Sequence, residues 1–149
     1  MASRKILPST YLMLAILLMM VLGFLFPIIH IIPVVWRLLG LIPVVLGIVI
    51  TILAVRFFKQ AHTTVRPFER SNVLAVGSIY WVSRNPMYLG YLLILVGIAI
   101  LLGAVSPWLV VAGFTVLLQC VFICVEERLL EEEFGALWKG YCKHTRRWL

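Results

Sequence analysis

Charged residues are scarce in this sequence. Only 13% of its 149 residues are Asp, Glu, Lys or Arg, while 63% are hydrophobic and the mean hydropathy is +1.08. A soluble domain is about a quarter charged and about half apolar, so this composition excludes an ordinary soluble domain. Residues 6–36, 38–55 and 85–125 carry no formal charge at all. Because about 20 apolar residues cross the hydrocarbon core of a bilayer, these runs predict membrane spans.

The uncharged runs predict four transmembrane helices, near residues 11–29, 38–55, 87–102 and 108–125. The last run is long enough for two spans, and Gly103 with Ser106-Pro107 near its middle predicts a tight turn between them. The predicted fold is an all-α polytopic membrane protein, a single domain over residues 1–149 with a cytoplasmic helical tail over 126–149. A cleaved signal peptide is the alternative for the first run, but no small-x-small cleavage site follows it.

Acidic residues are rarer than basic ones: six Asp and Glu oppose thirteen Lys and Arg, for a net charge of +7. In a four-span arrangement Arg37 lies on one side of the membrane and the other twelve basic residues on the opposite side. The positive-inside rule makes the crowded side cytoplasmic, which predicts cytoplasmic N- and C-termini, in the inner membrane if the source is prokaryotic. Anionic lipid head groups are sufficient partners for this charge, so no nucleic acid is expected.

Cysteine and histidine number three each, and their spacing does not predict a metal site. Cys120 and Cys124 lie one helical turn apart in the fourth predicted span, where packing as small apolar residues is usual. Glycines in the second and third spans recur at seven residues, which places each pair on one helix face and predicts close helix packing; they are Gly40, Gly47, Gly90 and Gly97.

The start of the third span has the features of an anion site. Asn85 is a good N-cap and Pro86 suits the first helical position, so we expect the helix to begin here. The N–H groups and partial positive charge of a helix start favour an anion, and Arg84 adds a full charge. A capped helix with a snorkelling arginine is the alternative interpretation of the same residues.

Five of the six acidic residues follow the fourth span, between Glu126 and Glu133. Carboxylates beside a bilayer are costly unless they have partners, so Glu126 and Glu127 are candidate ligand-binding residues, with a purely structural role equally open. We expect the later glutamates, 131–133, on a solvated helix face. An apolar stripe predicts that this helix continues into the cytoplasm; its members are Leu130, Phe134, Leu137 and Tyr141.

Three separated motifs together resemble a known family. They are Tyr80…Arg84-Asn85-Pro86-Met87-Tyr88-Leu89-Gly90, then Glu126-Glu127-x-x-Leu130-x-x-x-Phe134-Gly135, then Tyr141 with Arg147-Trp148. The combination resembles the integral membrane methyltransferases, which include isoprenylcysteine carboxyl methyltransferase and the phospholipid N-methyltransferases, from about Thr64 to the C-terminus. The resemblance implies S-adenosylmethionine bound between the inner ends of the last two spans, capped by the tail, and methyl transfer to a lipophilic acceptor.

The resemblance also implies roles for individual residues. The methionine carboxylate of the cofactor would lie at the Asn85-Pro86 helix start, and Glu126 would accept hydrogen bonds from the ribose hydroxyls. Glu127 is the candidate general base for an amine or phenol acceptor. Phe122 stands where prenylcysteine enzymes carry a substrate-binding arginine, which argues against a prenylcysteine carboxylate. The full set of expected cofactor-binding residues is Leu74, Tyr80, Arg84, Asn85, Pro86, Met87, Tyr88, Gly90 and Glu126.

Two other functions fit parts of the pattern. Sterol and steroid reductases share a similar Arg-x-Pro-x-Tyr-x-Gly helix start and use NADPH. Their pattern has asparagine before the tyrosine and glutamate after the glycine, whereas Met87 and Tyr91 occupy those places here, which favours the methyltransferase. A non-catalytic membrane protein that retains the fold is the third interpretation.

Overall fold

The computed structural model describes residues 7–60, 80 and 83–148. Within these ranges the chain is helical and has no β-strand, apart from one isolated bridge between His30 and Ala104. Three helices are long and apolar enough to cross a membrane, and Pro86–Leu102 is a shorter apolar helix. The predicted fold class, an all-α membrane protein, is confirmed.

Seven α-helices form the described structure. The first four are α1 (Pro8–Leu25), α2 (Val34–Arg37), α3 (Leu41–Gln60) and α4 (Pro86–Leu102); a 3-10 turn, Leu38–Gly40, joins α2 to α3. The last three are α5 (Ser106–Leu117), α6 (Cys124–Phe134) and α7 (Ala136–His144), and a π-helical segment, Leu118–Ile123, joins α5 to α6.

The first helix is offset from its predicted span of residues 11–29. It begins at Pro8, whose fixed φ suits a helix start, and it ends at Leu25 because Pro27 disfavours helical conformation in the residue before it and cannot donate a helical hydrogen bond. The apolar residues that follow lie in a loop, where the backbone N–H groups of residues 31 and 32 donate to the Gly103 carbonyl.

The second predicted span, residues 38–55, is part of a longer helical segment made of α2, the 3-10 turn and α3. This segment begins at Val34, directly after Pro33, and Arg37 does not interrupt it. The Arg37 Nε donates to the Ile32 carbonyl at 3.1 Å, so this charge is partly satisfied beside the loop. Gly103 ends α4 with a φ of +70°, and a Cβ there would lie 2.9 Å from the Arg37 guanidinium carbon. Gly103 therefore provides both the turn and the space for Arg37.

The predicted glycine packing is confirmed between α3 and α4. A Cβ added to Gly97 would lie 2.5 Å from the Gly40 carbonyl oxygen, and one added to Gly47 would lie 2.5 Å from the Gly90 carbonyl oxygen. The contacts pair Gly40 with Gly97 and Gly47 with Gly90, so the two helices run antiparallel. Their backbones approach closely because neither helix carries a side chain at these positions.

The fourth predicted span, residues 108–125, lies within a longer continuous helical segment over residues 106–134, which ends nine residues after the predicted end. It ends before Gly135, whose φ is +48°. The predicted continuous stripe is therefore wrong beyond Phe134: Leu137 and Tyr141 belong to the separate helix α7, where Leu137 is 71% exposed and Tyr141 is buried. Gly135 lets the chain change direction because it has no Cβ to oppose this φ.

The core lies between α1, α4 and the α5–α6 segment. Met19, Leu95, Leu118 and Phe122 are almost completely buried there. Large apolar side chains also cover the outer faces of α1, α2 and α3, where many are more than half exposed. Lipid is the natural solvent for such faces. The fold thus places the first turn of α4 and the beginning of α6 at one end of the bundle, which we call the site end.

Candidate functional site at the end of the bundle

A hydrogen bond joins α4 to α6 at the site end. The Tyr88 hydroxyl donates to Glu126 Oε1 at 2.6 Å. Tyr88 is buried, and its ring packs against Phe122 with centroids 6.1 Å apart. An O–H···O distance of 2.6 Å is at the short end of the range for protein hydrogen bonds. The two helix ends that the sequence predicts to share a site are therefore in direct contact.

The residues directly before α4 hold the last described residues of the chain, 145–148, which are called the tail from here on. Asn85 is the N-cap and Pro86 the first helical residue, as predicted, but the Asn85 side chain does not cap the helix. Its Nδ2 instead donates to the Arg147 carbonyl at 3.1 Å, and Ser83 Oγ donates to the same oxygen at 3.3 Å. The Arg84 N–H donates to the Arg146 carbonyl at 3.0 Å. The tail is thus attached to the helix start through its backbone.

An ion pair attaches the tail to α6 as well. The Arg147 guanidinium donates to both oxygens of Glu127, at 2.5 Å from Nη2 and 3.2 Å from Nε. Arg84 Nη1 lies 3.5 Å from the same carboxylate, whose side chain is only 14% exposed. The hydrogen bonds that Arg147 donates to Glu127 raise the pKa of Arg147 above its ordinary value. Two-point contact of a guanidinium with a carboxylate fixes orientation as well as charge.

Arg84 lies at the centre of these contacts. Its guanidinium is 5.7 Å from the centre of the Trp138 ring and Nη1 donates to the Cys142 sulfur. Its Nε is buried and has no hydrogen-bond partner among the residues that the structure describes. A buried donor of this kind is unfavourable unless a ligand or water accepts from it. The Arg84 Nε is therefore a candidate donor to an anionic ligand.

Two tyrosines form a further wall of the site. The Tyr141 hydroxyl donates to the Tyr80 carbonyl at 2.5 Å, and the Tyr80 ring packs against Phe57 with centroids 5.4 Å apart. Burial raises the pKa of Tyr141 to about 12. Tyr141 therefore remains a hydrogen-bond donor throughout the physiological pH range, and it ties α7 to residue 80.

The predicted site residues have different surroundings. Those with polar or aromatic contacts at the site end are Tyr80, Arg84, Asn85, Tyr88, Glu126 and Glu127. Pro86 opens α4, while Met87 packs partly buried against the core and Gly90 faces Gly47 of α3. Leu74 lies outside the described residues. The roles of all these residues in cofactor or proton binding stay predictions.

Three residues of this site have contacts that sequence reasoning did not predict. In the sequence, Arg147 belongs to the Arg147-Trp148 motif, and the sequence pattern predicts no role for Ser83 or Trp138. The signal for Arg147 was the requirement that a carboxylate beside the bilayer have a partner. That signal does not select among twelve basic residues on the same predicted side, because the choice depends on how α7 is folded back.

Fold and site together define an all-α membrane protein with a polar site at one end of its helices. Residues 35–136, more than half of the chain, match the family model described as phospholipid methyltransferase, and the chain belongs to that family. The family implies a membrane methyltransferase in general. An uncharacterized protein of Haemophilus influenzae is 40% identical over 63 residues, which are 42% of this chain and 100% of that relative. No solved structure matches the chain.

Proposed function

We propose that this protein transfers a methyl group from S-adenosylmethionine to a lipophilic acceptor at the cytoplasmic face of the membrane. The observation that carries the proposal is the Tyr88–Glu126 hydrogen bond. It brings a carboxylate to the helix start that is predicted to bind an anion, at one end of the spanning helices. Membership of the phospholipid methyltransferase family supports the reaction type.

The residues at the site end suit this cofactor. The buried Arg84 Nε is a donor for the methionine carboxylate, beside the partial positive charge of the α4 start. The Glu126 carboxylate accepts one bond from Tyr88 and has acceptor capacity for ribose hydroxyls. The aromatic rings of Tyr80 and Tyr88 are the predicted walls for the adenine and the cationic sulfur. When bound, the cofactor supplies an electrophilic methyl group on that sulfur.

The contribution of the chain to catalysis is mainly positioning. Methyl transfer is an in-line displacement, so holding two substrates in the right geometry lowers the barrier substantially. Tyr88 and Phe122 form an apolar wall that excludes water from the reacting atoms. An amine acceptor must also lose a proton, for which Glu127 is the predicted base. The Arg147–Glu127 ion pair would have to open before Glu127 could accept that proton.

The charge distribution supports a cytoplasmic site. Arg84, Lys139 and Arg147 make contacts at or near the site end, whereas Arg37 lies beside the loop at the other end of α4. Positive residues accumulate on the cytoplasmic side of membrane proteins. The methyl donor would therefore enter from the cytoplasm, and a lipophilic acceptor from the bilayer.

Cofactor titration tests the proposal directly. Purified protein is titrated by calorimetry with S-adenosylhomocysteine and, separately, with NADPH. Saturable binding of S-adenosylhomocysteine alone is the expected result. Binding of NADPH alone would replace the proposal with a reductase, and binding of neither would favour the non-catalytic interpretation. Methyl-labelled S-adenosylmethionine and a membrane lipid extract then identify the acceptor by mass spectrometry.

A further inference from the structure

A buried hydroxyl in the tail and a buried guanidinium nitrogen beside it are left without a hydrogen bond. The two atoms are Thr145 Oγ1 and Arg84 Nε, and neither has a hydrogen-bond partner among the residues that the structure describes. Thr145 is only 2% exposed, so bulk water does not reach its hydroxyl. A buried donor without a partner is unfavourable unless a ligand or an ordered water accepts from it. These two donors therefore indicate a place for an acceptor group.

The contacts of Arg84 lie on both sides of Thr145 in the chain. The Arg84 backbone N–H donates to the Arg146 carbonyl at 3.0 Å, and Arg84 Nη1 donates to the Cys142 sulfur at 2.6 Å. Thr145 is the C-cap of α7, and its own N–H donates to the Tyr141 carbonyl at 3.1 Å. Because residues 142 and 146 flank Thr145 and both touch Arg84, the two unpartnered donors belong to one region.

The Tyr141 side chain lies close to both donors. Burial raises the pKa of Tyr141 to about 12, while Thr145 and the positive charge of Arg84 each act to lower it. The Tyr141 hydroxyl itself donates to the Tyr80 carbonyl. The Thr145 hydroxyl is thus near Tyr141 but makes no hydrogen bond of ordinary geometry within the described part of the chain. Its O–H group remains a donor for a ligand.

The Arg84 guanidinium is fixed in a way that leaves Nε without a partner. Nη1 lies 3.5 Å from the Glu127 carboxylate and also donates to Cys142. The central carbon of the guanidinium lies over the Trp138 ring, 5.7 Å from its centre. Because the N–H groups of a guanidinium have a fixed fork geometry, these contacts also fix the direction of the Nε–H bond. The free donor is therefore positioned before any ligand arrives.

We infer that Thr145 is a second binding residue for the carboxylate of the cofactor, which Arg84 Nε and the Thr145 hydroxyl would hold together. The inference rests on the proposed function and adds a residue of the tail to its site. A carboxylate fits because it accepts hydrogen bonds at two oxygens, one for each donor. Hydrogen bonds to a charged acceptor are also stronger than neutral ones. The tail therefore supplies a binding group and completes the site.

Substitution of Thr145 tests this inference with two ligands. Thr145→Val removes the hydroxyl and keeps the shape, whereas Thr145→Ser keeps the hydroxyl. Thr115→Val is the matched control because the Thr115 hydroxyl donates within its own helix, to the Val111 carbonyl at 2.8 Å. Calorimetry of the purified proteins measures affinity for S-adenosylhomocysteine, which carries the carboxylate. The second ligand is methylthioadenosine, which has the nucleoside and the sulfur but no carboxylate.

Thr145→Val is expected to bind S-adenosylhomocysteine about tenfold more weakly, which corresponds to about 1.4 kcal/mol. Its affinity for methylthioadenosine should be unchanged, and Thr145→Ser and Thr115→Val should bind both ligands as the wild type does. The melting temperature of ligand-free Thr145→Val should not fall, because the variant loses a hydroxyl that has no protein partner. A lower melting temperature together with equal weakening of both ligands would show a structural role and would overturn the inference.

Failure of the inference is distinct from failure of the proposed function. If the wild type binds S-adenosylhomocysteine and Thr145→Val binds it equally well, Thr145 is not a binding residue, and the proposed function stands. Equal affinity of the wild type for the two ligands would mean that the carboxylate makes no favourable contact, which also contradicts the inference. If the wild type binds neither ligand, the methyl donor is wrong, and the carboxylate site is wrong with it.

Discussion

Adjacent carboxylates at the start of α6 have different partners. Successive residues of a helix point about 100° apart, so Glu126 faces Tyr88 of α4 while Glu127 faces Arg147 of the tail. Glu127 is held by a bidentate guanidinium, and Glu126 accepts a single hydroxyl. Glu127 therefore takes part in attaching the tail, while Glu126 keeps acceptor capacity for the proposed cofactor.

Glu126→Gln tests the ligand role at this scale. Glutamine preserves the shape and an oxygen acceptor for Tyr88 but removes the negative charge. Affinity for S-adenosylhomocysteine should fall by about 1–3 kcal/mol, because charged hydrogen bonds to the ribose are lost. Calorimetry measures the change, with Glu132→Gln, an exposed residue of the same helix, as the control. Equal affinity in a folded Glu126→Gln protein would remove Glu126 from the site.

At the scale of the elements, the tail is attached by two kinds of contact. It meets the α4 start through backbone carbonyls and α6 through the Arg147–Glu127 pair. The Lys139–Glu131 pair, by contrast, has side chains that are 67% and 53% exposed. Ion pairs exposed to this degree contribute little to stability. Burial therefore distinguishes two salt bridges that look equivalent in sequence.

Arg147→Ala is expected to destabilise the folded protein by about 1 kcal/mol, because the Glu127 carboxylate loses its bidentate partner while the backbone contacts of residue 147 persist. For a chain of this size the melting temperature should fall by about 2–4 °C. Lys139→Ala is the matched control and should change it by less than about 1 °C. Thermal unfolding in detergent measures both. Equal shifts in the two variants would contradict a stabilising role for the Arg147 pair.

The antiparallel packing of α3 and α4 depends on glycine. Gly97→Ala would place a methyl group 2.5 Å from the Gly40 carbonyl oxygen, so the two backbones must separate. Overpacking of this kind costs about 1–3 kcal/mol. Gly113→Ala is the control because its methyl group would meet open space. Thermal unfolding should show a lower melting temperature for Gly97→Ala only. A decrease of the same size in Gly113→Ala would mean that the loss of stability does not come from the contact between α3 and α4.

At the scale of the whole molecule, the spanning helices and the charge distribution predict one orientation. Three long apolar helices and the shorter α4 bring the beginning of α1 and the C-terminal tail to the same side. The positive-inside rule predicts that this side is cytoplasmic.

A reporter fused after residue 149 measures this orientation. Green fluorescent protein at that position should fluoresce in bacterial cells, and alkaline phosphatase should be inactive there. The same reporters inserted in the loop between α1 and α2 should give the reverse pattern. Active phosphatase at the C-terminus would place the site on the outer face, where a cytoplasmic methyl donor cannot reach it.

The sequence by itself determined the fold class and the approximate spans. Long uncharged runs are sufficient evidence for membrane spans because a charge in hydrocarbon is costly. The start of α4 was predicted to within one residue because Asn85-Pro86 is a local signal for a helix start. The predicted ends of the first span were displaced by three and four residues. There the apolar pattern continues past Pro27, although the helix does not.

Only the tertiary structure decided which groups contact one another. The Tyr88–Glu126 and Glu127–Arg147 bonds join residues 38 and 20 positions apart. Composition and periodicity assign residues to a membrane and to helix faces, since they depend on local transfer energies. The choice among many chemically equal partners depends on the packing of separate helices, which a local pattern does not specify.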